Sequence, residues 1–110
     1  MTLFVIDWTL MDTTPLLELC RESSHEVVGY EFADGGRAYK KTGELKPDAI
    51  IINYNIKPSH GKETAGSIKN RKSTAQIPIY FIDGEVEDNE HCNHLGICLS
   101  SEELKELLES

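Results

Sequence analysis

Cysteine, aromatic residues and positive charge are all scarce in this chain, and long apolar runs are missing. Its 110 residues include three cysteines, Cys20, Cys92 and Cys98. An odd count without paired spacing excludes a disulfide-built scaffold and suits a reducing compartment, so a cytoplasmic location is expected. Apolar stretches such as Leu3-Phe4-Val5-Ile6 are too short for a membrane span or a signal peptide, and no lipid-anchor motif is present. Eleven basic residues stand against nineteen acidic ones, a net charge of −8. Such a surface repels phosphate backbones and argues against nucleic acid as a partner. No Gly-rich phosphate cradle follows the first apolar run, where Trp8-Thr9-Leu10 stands, so a flavin or other small ligand is disfavoured.

What is present suits one ordinary core. Hydrophobic content of 39% and charged content of 27% are typical of globular chains, and 110 residues suffice for one domain spanning 1–110. The Met1 start and the absence of a tail read as a free-standing protein.

Strand and helix patterns alternate. Residues 3–6 form a buried strand. Thr14 caps a helix with Pro15 at its first position and Leu16, Leu17, Leu19 and Cys20 on the apolar face, ending near Ser24. Glu26–Glu31 is a second strand and Asp34-Gly35-Gly36 a turn. A helix to about Leu45 follows, with Ala38, Thr42 and Leu45 inward. Residues 49–54 are the central strand, 56–60 a loop, and Gly61 opens a helix to about Lys72. Residues 77–82 make a fourth strand with Pro78 at its start. Residues 83–95 are polar and weakly periodic. Ile97–Leu99 is a short fifth strand, and Ser100 with Glu103 forms a capping box for a last helix. Spacings of roughly 20–30 residues match right-handed crossovers. An α/β, doubly wound, five-stranded parallel sheet follows.

The most informative stretch is Lys46-Pro47-Asp48-Ala49-Ile50-Ile51-Ile52-Asn53. A turn leads into an aliphatic run suited to a strand covered on both faces. The run ends on Asn53 at the sheet edge where open α/β folds place their chemistry.

These pieces together resemble the response-regulator receiver domain, a flavodoxin-like module of two-component signalling. The resemblance covers about residues 3–108. It rests on Val5-Ile6-Asp7, Glu26-Val27-Val28-Gly29, Ala33-Asp34-Gly35, Glu44-Leu45-Lys46-Pro47-Asp48, Gly61, Ile77-Pro78-Ile79 and the terminal Ser-Glu-Glu-Leu helix. It implies the receiver fold, with the fourth helix short or missing because few residues separate Asp83 from Ile97.

The resemblance also implies a chemistry that needs a nucleophilic carboxylate after the third strand and an acidic pair holding Mg²⁺. A hydroxyl and a lysine are needed to bind the phosphoryl oxygens. Those positions fall on Asn53, on Asp7 and Trp8, on Asp83, and near Ser100. The aromatic that often rotates on activation falls on Ile97. A carboxamide is a poor nucleophile and a weak metal ligand. The chain is therefore similar to pseudo-receivers: a non-enzymatic module that binds another signalling protein without being phosphorylated.

Several finer expectations follow. Asn53 donates a hydrogen bond to Asp83, with Trp8 filling space, to lock the emptied pocket. Asp7 and Asp83, with a carbonyl near Tyr54 or Asn55, remain weak candidate ligands for Mg²⁺, or Lys57 supplies the charge instead. Asp7 or Asp83 is the alternative phosphoryl acceptor. His91, Cys92, His94 and Cys98 invite zinc, although the spacing fits no familiar finger; otherwise Cys92 is a loop thiol and Cys98 a core thiol. His60 is a surface histidine. Lys69, Arg71 and Lys72 complement a helix dipole. The docking face is either the first helix with Cys20, or the fourth and fifth strands with the last helix, edged by Glu85, Glu87, Asp88 and Glu90. A homodimer is the other occupant of such a face.

Overall fold

The computed structural model describes every residue from Met1 to Ser110. Strands and helices alternate as β1 (Thr2–Ile6), α1 (Pro15–Glu22), β2 (Glu26–Glu31), α2 (Gly35–Leu45), β3 (Ala49–Asn53), α3 (Pro58–Asn70), β4 (Ile79–Ile82), α4 (Val86–Cys92), β5 (Ile97–Leu99) and α5 (Ser101–Glu109). All strand pairs are parallel, in the order β2-β1-β3-β4-β5. No helix is long and apolar enough to cross a membrane.

Period-two alternation sorts the strand residues onto two faces. Phe4, Ile6, Ile50, Ile52, Ile79 and Phe81 pack against Ala38 of α2, Ala65 and Ile68 of α3, and Cys92 of α4. Leu3, Val5, Ala49, Ile51 and Ile82 pack against Leu16, Leu17 and Cys20 of α1 and Leu104 and Leu108 of α5. Helices on both sides explain why β3 is aliphatic from Ala49 to Ile52. Each fully buried Ile or Leu contributes about 1.5–3 kcal/mol.

The helix starts follow their caps. Thr14 Oγ1 accepts from Leu17 N at 3.1 Å, with Pro15 in the first turn. Ser100 Oγ accepts from Glu103 N at 3.1 Å while Ser100 N donates to Glu103 Oε1 at 2.9 Å, the reciprocal box read from sequence. Asp34 Oδ1 accepts from Arg37 N at 3.0 Å. Asp34-Gly35-Gly36 is thus the start of α2 and not a separate turn.

Other boundaries differ from expectation. Helix α3 begins at Pro58, ahead of Gly61, because proline suits a first turn. Strand β4 begins after Pro78, which has no N–H to give a ladder. Strand β3 stops at Asn53. Leu45 is 47% exposed, since α2 ends there before left-handed Lys46. The polar stretch after Asp83 contains the seven-residue α4, so the fourth helix is present and short.

The basic end of α3 does more than complement a dipole. Arg71 stacks on Tyr39 at 3.8 Å and donates to Tyr39 O at 2.7 Å and Thr42 Oγ1 at 3.1 Å, tying α3 to α2. Lys69 donates to Ile77 O at 2.6 Å. Two glycines should separate on this account. A Cβ at Gly66 of α3 meets nothing within 4 Å, so Gly66→Ala should gain about 0.5–1 kcal/mol. A Cβ at Gly43 lies 2.6 Å from Arg71 Nη1, and displacing the guanidinium forfeits bonds worth about 1 kcal/mol each. Gly43→Ala should therefore lose about 1 kcal/mol despite its better helix propensity. Urea unfolding of both variants checks the sign.

Candidate functional site

The C-terminal ends of β1, β3 and β4 and the start of α5 surround a cleft of about 400 Å³ lined by Asp7, Thr9, Asn53, Asn55, Asp83 and Ser101 among others. Parallel strands all end at this edge, so residues far apart in sequence converge here.

Asp7 lies just past β1 and is fully buried. Its Oδ1 accepts from Thr9 Oγ1 at 3.0 Å and from Asn53 Nδ2 at 3.2 Å, whereas its Oδ2 has no partner. Asn53, the last residue of β3, is half-buried. Its Oδ1 accepts from Asn55 N at 3.0 Å. Both ends of the amide are thus engaged, the donor end by a carboxylate.

The expected Asn53–Asp83 bond is replaced by Asn53–Asp7. Asp83 adopts a left-handed backbone (φ 58°), a conformation that Asp tolerates better than most residues. Its exposed side chain turns to α5: Oδ1 accepts from Ser101 N at 2.8 Å and Oδ2 from Ser101 Oγ. A carboxylate at a helix N-terminus is favoured by the unpaired N–H groups and the dipole there.

Ser100, placed by the sequence near the phosphoryl-binding lysine position, is occupied by its own capping box; its neighbour Ser101 faces the cleft. The shift follows from the cap, which commits the Ser100 hydroxyl to its own helix. Trp8 does not fill the cleft either. It is 4% exposed and belongs to the core layer beneath α2 and α3, with its Nε1 unpartnered. Its ring meets His60 edge-on, centroids 5.7 Å apart at 78°, and His60 is exposed. Sequence reasoning missed Thr9 and Ser101; a hydroxyl two residues after Asp7 was the available signal for Thr9.

These groups do not fit the magnesium site that the receiver fold implies. No three His, Cys, Asp or Glu side chains converge anywhere in the chain. Asp7 offers one free oxygen, the Asn53 amide presents its N–H₂ to that residue, and Asp83 is held by Ser101. A hard divalent cation needs several oxygen ligands, and two separated carboxylates are a weak set.

The zinc reading fails on the same geometry. His91 and His94 are exposed, and only the two sulfurs meet, Cys92 Sγ to Cys98 Sγ at 3.7 Å. The thiol assignments are also exchanged. Cys92 is fully buried on α4 and Cys98 is half-buried, because β5 is an edge strand. Cys20 is fully buried between α1 and the sheet, so it lies on no docking face.

No family profile matches the chain. The response regulator protein VraR of Staphylococcus aureus (strain Mu3 / ATCC 700698) is 35% identical over 88 residues, covering 80% of this chain and 41% of VraR. The chain thus spans about two fifths of the length of that relative. Among solved structures, one assigned as a response regulator from Chloroflexus aurantiacus J-10-fl superposes with a TM-score of 0.73. It is 20% identical and covers 94% of this chain and 89% of its own. The N-terminal domain of a response regulator receiver protein from Methanoculleus marisnigri JR1 gives 0.71 at 18% identity, covering 96% and 91%. Strand order, helix placement and these likenesses agree: this chain has the fold of a response-regulator receiver domain.

Proposed function

We propose that this domain is a pseudo-receiver, a non-enzymatic module of two-component signalling that acts in the cytoplasm by binding another signalling protein, independently of phosphorylation. The observation that carries this reading is the 3.2 Å bond from Asn53 Nδ2 to Asp7 Oδ1. In an active receiver the corresponding group would be an anionic oxygen facing a cation. Here it is an N–H donor, uncharged and already bound to a carboxylate, so it has no lone pair to direct at phosphorus. The other carboxylates are poor substitutes as acceptors. Asp7 is closed to solvent, and both oxygens of Asp83 accept from Ser101.

The surface formed by α4 and β5 supports the binding role. Val86 at the start of α4 is 74% exposed beside the exposed acids Glu85, Glu87 and Glu90, and Ile97 on the edge strand is 52% exposed. An exposed apolar side chain among acids, as at Val86, suits a partner presenting apolar and basic groups; acidic steering raises the rate of encounter with it. A second copy of the chain is the competing occupant.

Incubation with a small acyl phosphate and Mg²⁺, followed by intact-mass measurement, tests the central point. The mass should stay unchanged over times that fully phosphorylate an active receiver. A gain of one phosphoryl group, mapped to Asp7 or Asp83, would establish the alternative acceptor instead.

A further inference from the structure

Cys92 ends α4 and Cys98 lies in the middle of β5, six residues apart, with their sulfurs 3.7 Å from each other. Both point at one acceptor, the carbonyl oxygen of Asn89, at 3.6 and 3.9 Å. No other thiol pair exists, since Cys20 sits in the opposite core layer. We propose that Cys92 and Cys98 are a reversible dithiol–disulfide site, oxidised by a low-molecular-weight disulfide, whose closure staples α4 to the edge strand β5.

The two thiols differ in access, and that orders the steps. Cys98 is half-buried on the sheet edge, whereas Cys92 is fully enclosed. Burial also pushes the Cys92 thiol up to about 12, so it stays protonated until a disulfide lies beside it. The Cys98 thiolate attacks one sulfur of the small disulfide and expels a thiolate, which takes up the proton Cys98 lost. Cys92 then gives up its proton and attacks Cys98 Sγ in the mixed disulfide, forming the intramolecular bond and releasing the second small thiol. Two protein thiols lose two electrons and two protons; the small disulfide is reduced to two thiols.

Closing from 3.7 Å to a bond of about 2.05 Å requires only a modest approach of the helix end to the strand. Helix α4 can supply it, because it is one short helix without a side-chain N-cap bond. The Tyr54 hydroxyl donates to Asp88 O at 3.2 Å, and Tyr54 directly follows Asn53. Stapling α4 therefore bears both on the exposed Val86 end of that helix and on the chain segment leaving the cleft.

The full chain is equilibrated in mixtures of oxidised and reduced glutathione, quenched in acid, alkylated under denaturing conditions and read by intact mass and peptide mapping. Cys92 and Cys98 should lose alkylation together in one two-electron transition, with a mass lower by two hydrogens, while Cys20 stays alkylated. Cys98→Ser should leave Cys92 fully alkylated in every mixture. In the oxidised form, amide exchange across α4 should slow roughly tenfold, since the link suppresses local opening. Arrest at a glutathione adduct of Cys98, disulfide-linked dimers, or persistent alkylation of both thiols in the most oxidising mixture would each overturn the assignment.

Discussion

Asn53→Asp should destabilise the fold by about 2–3 kcal/mol at neutral pH, although it installs the carboxylate that the proposed function takes to be missing from the site. In the native chain the amide donates to a fully buried carboxylate. The substitution converts that donor into a second anionic acceptor at hydrogen-bond distance. Breaking one side of a buried charged contact costs about 3–5 kcal/mol, and the half-buried state of Asn53 reduces the figure. A proton shared between the facing oxygens relieves the repulsion, so the folded variant binds a proton more readily than the unfolded chain. Its deficit relative to the native protein should therefore be largest at neutral pH and shrink as the pH falls. Denaturant unfolding at several pH values measures this. Equal stability of variant and native chain at pH 7 would show that Asn53 does not hold Asp7 in solution.

Gly96→Ala should cost about 3 kcal/mol and unzip the edge strand first. A Cβ at Gly96 would run into the backbone carbonyl oxygen of Ile79 and stand 2.9 Å from Phe81 Cε2. Neither can step aside cheaply: the first is backbone in the neighbouring strand and the second belongs to a fully buried ring. The substitution must push β5 away from β4, weakening the pairing of Ile97 with Tyr80 and of Cys98 with Phe81. Overpacking of this kind typically costs 1–3 kcal/mol, and a backbone clash lies at the upper end. Exchange protection at Ile97–Leu99 should fall before protection at the central β3. A loss below about 0.5 kcal/mol would mean that β5 follows a different path.

The contrast between these substitutions marks what could be read from the sequence. Strand β3 was legible because two-sided burial demands an unbroken aliphatic run, and Pro47-Asp48 marks where that run begins. The caps at Thr14 and Ser100 were legible because a hydroxyl three residues before a free N–H is a local relation. The partner of Asn53 was not legible. Adjacent strand ends offered both Asp7 and Asp83, and only the left-handed turn at Asp83 sends one of them to Ser101. Helix periodicity puts Leu45 on the inward face but does not say that α2 ends at that residue.

The sequence alone determined the alternation of elements, the five-stranded parallel sheet and the amide at the end of β3. These follow from periodicity, turn chemistry and residue identity, all of which act over a few positions. Only the tertiary structure decided which carboxylate meets that amide, that Trp8 sits in the core layer beside the cleft, and that two of the three thiols are neighbours. Those contacts depend on how strand ends and helix starts from distant parts of the chain are brought to one place, and on single backbone angles that no local pattern encodes.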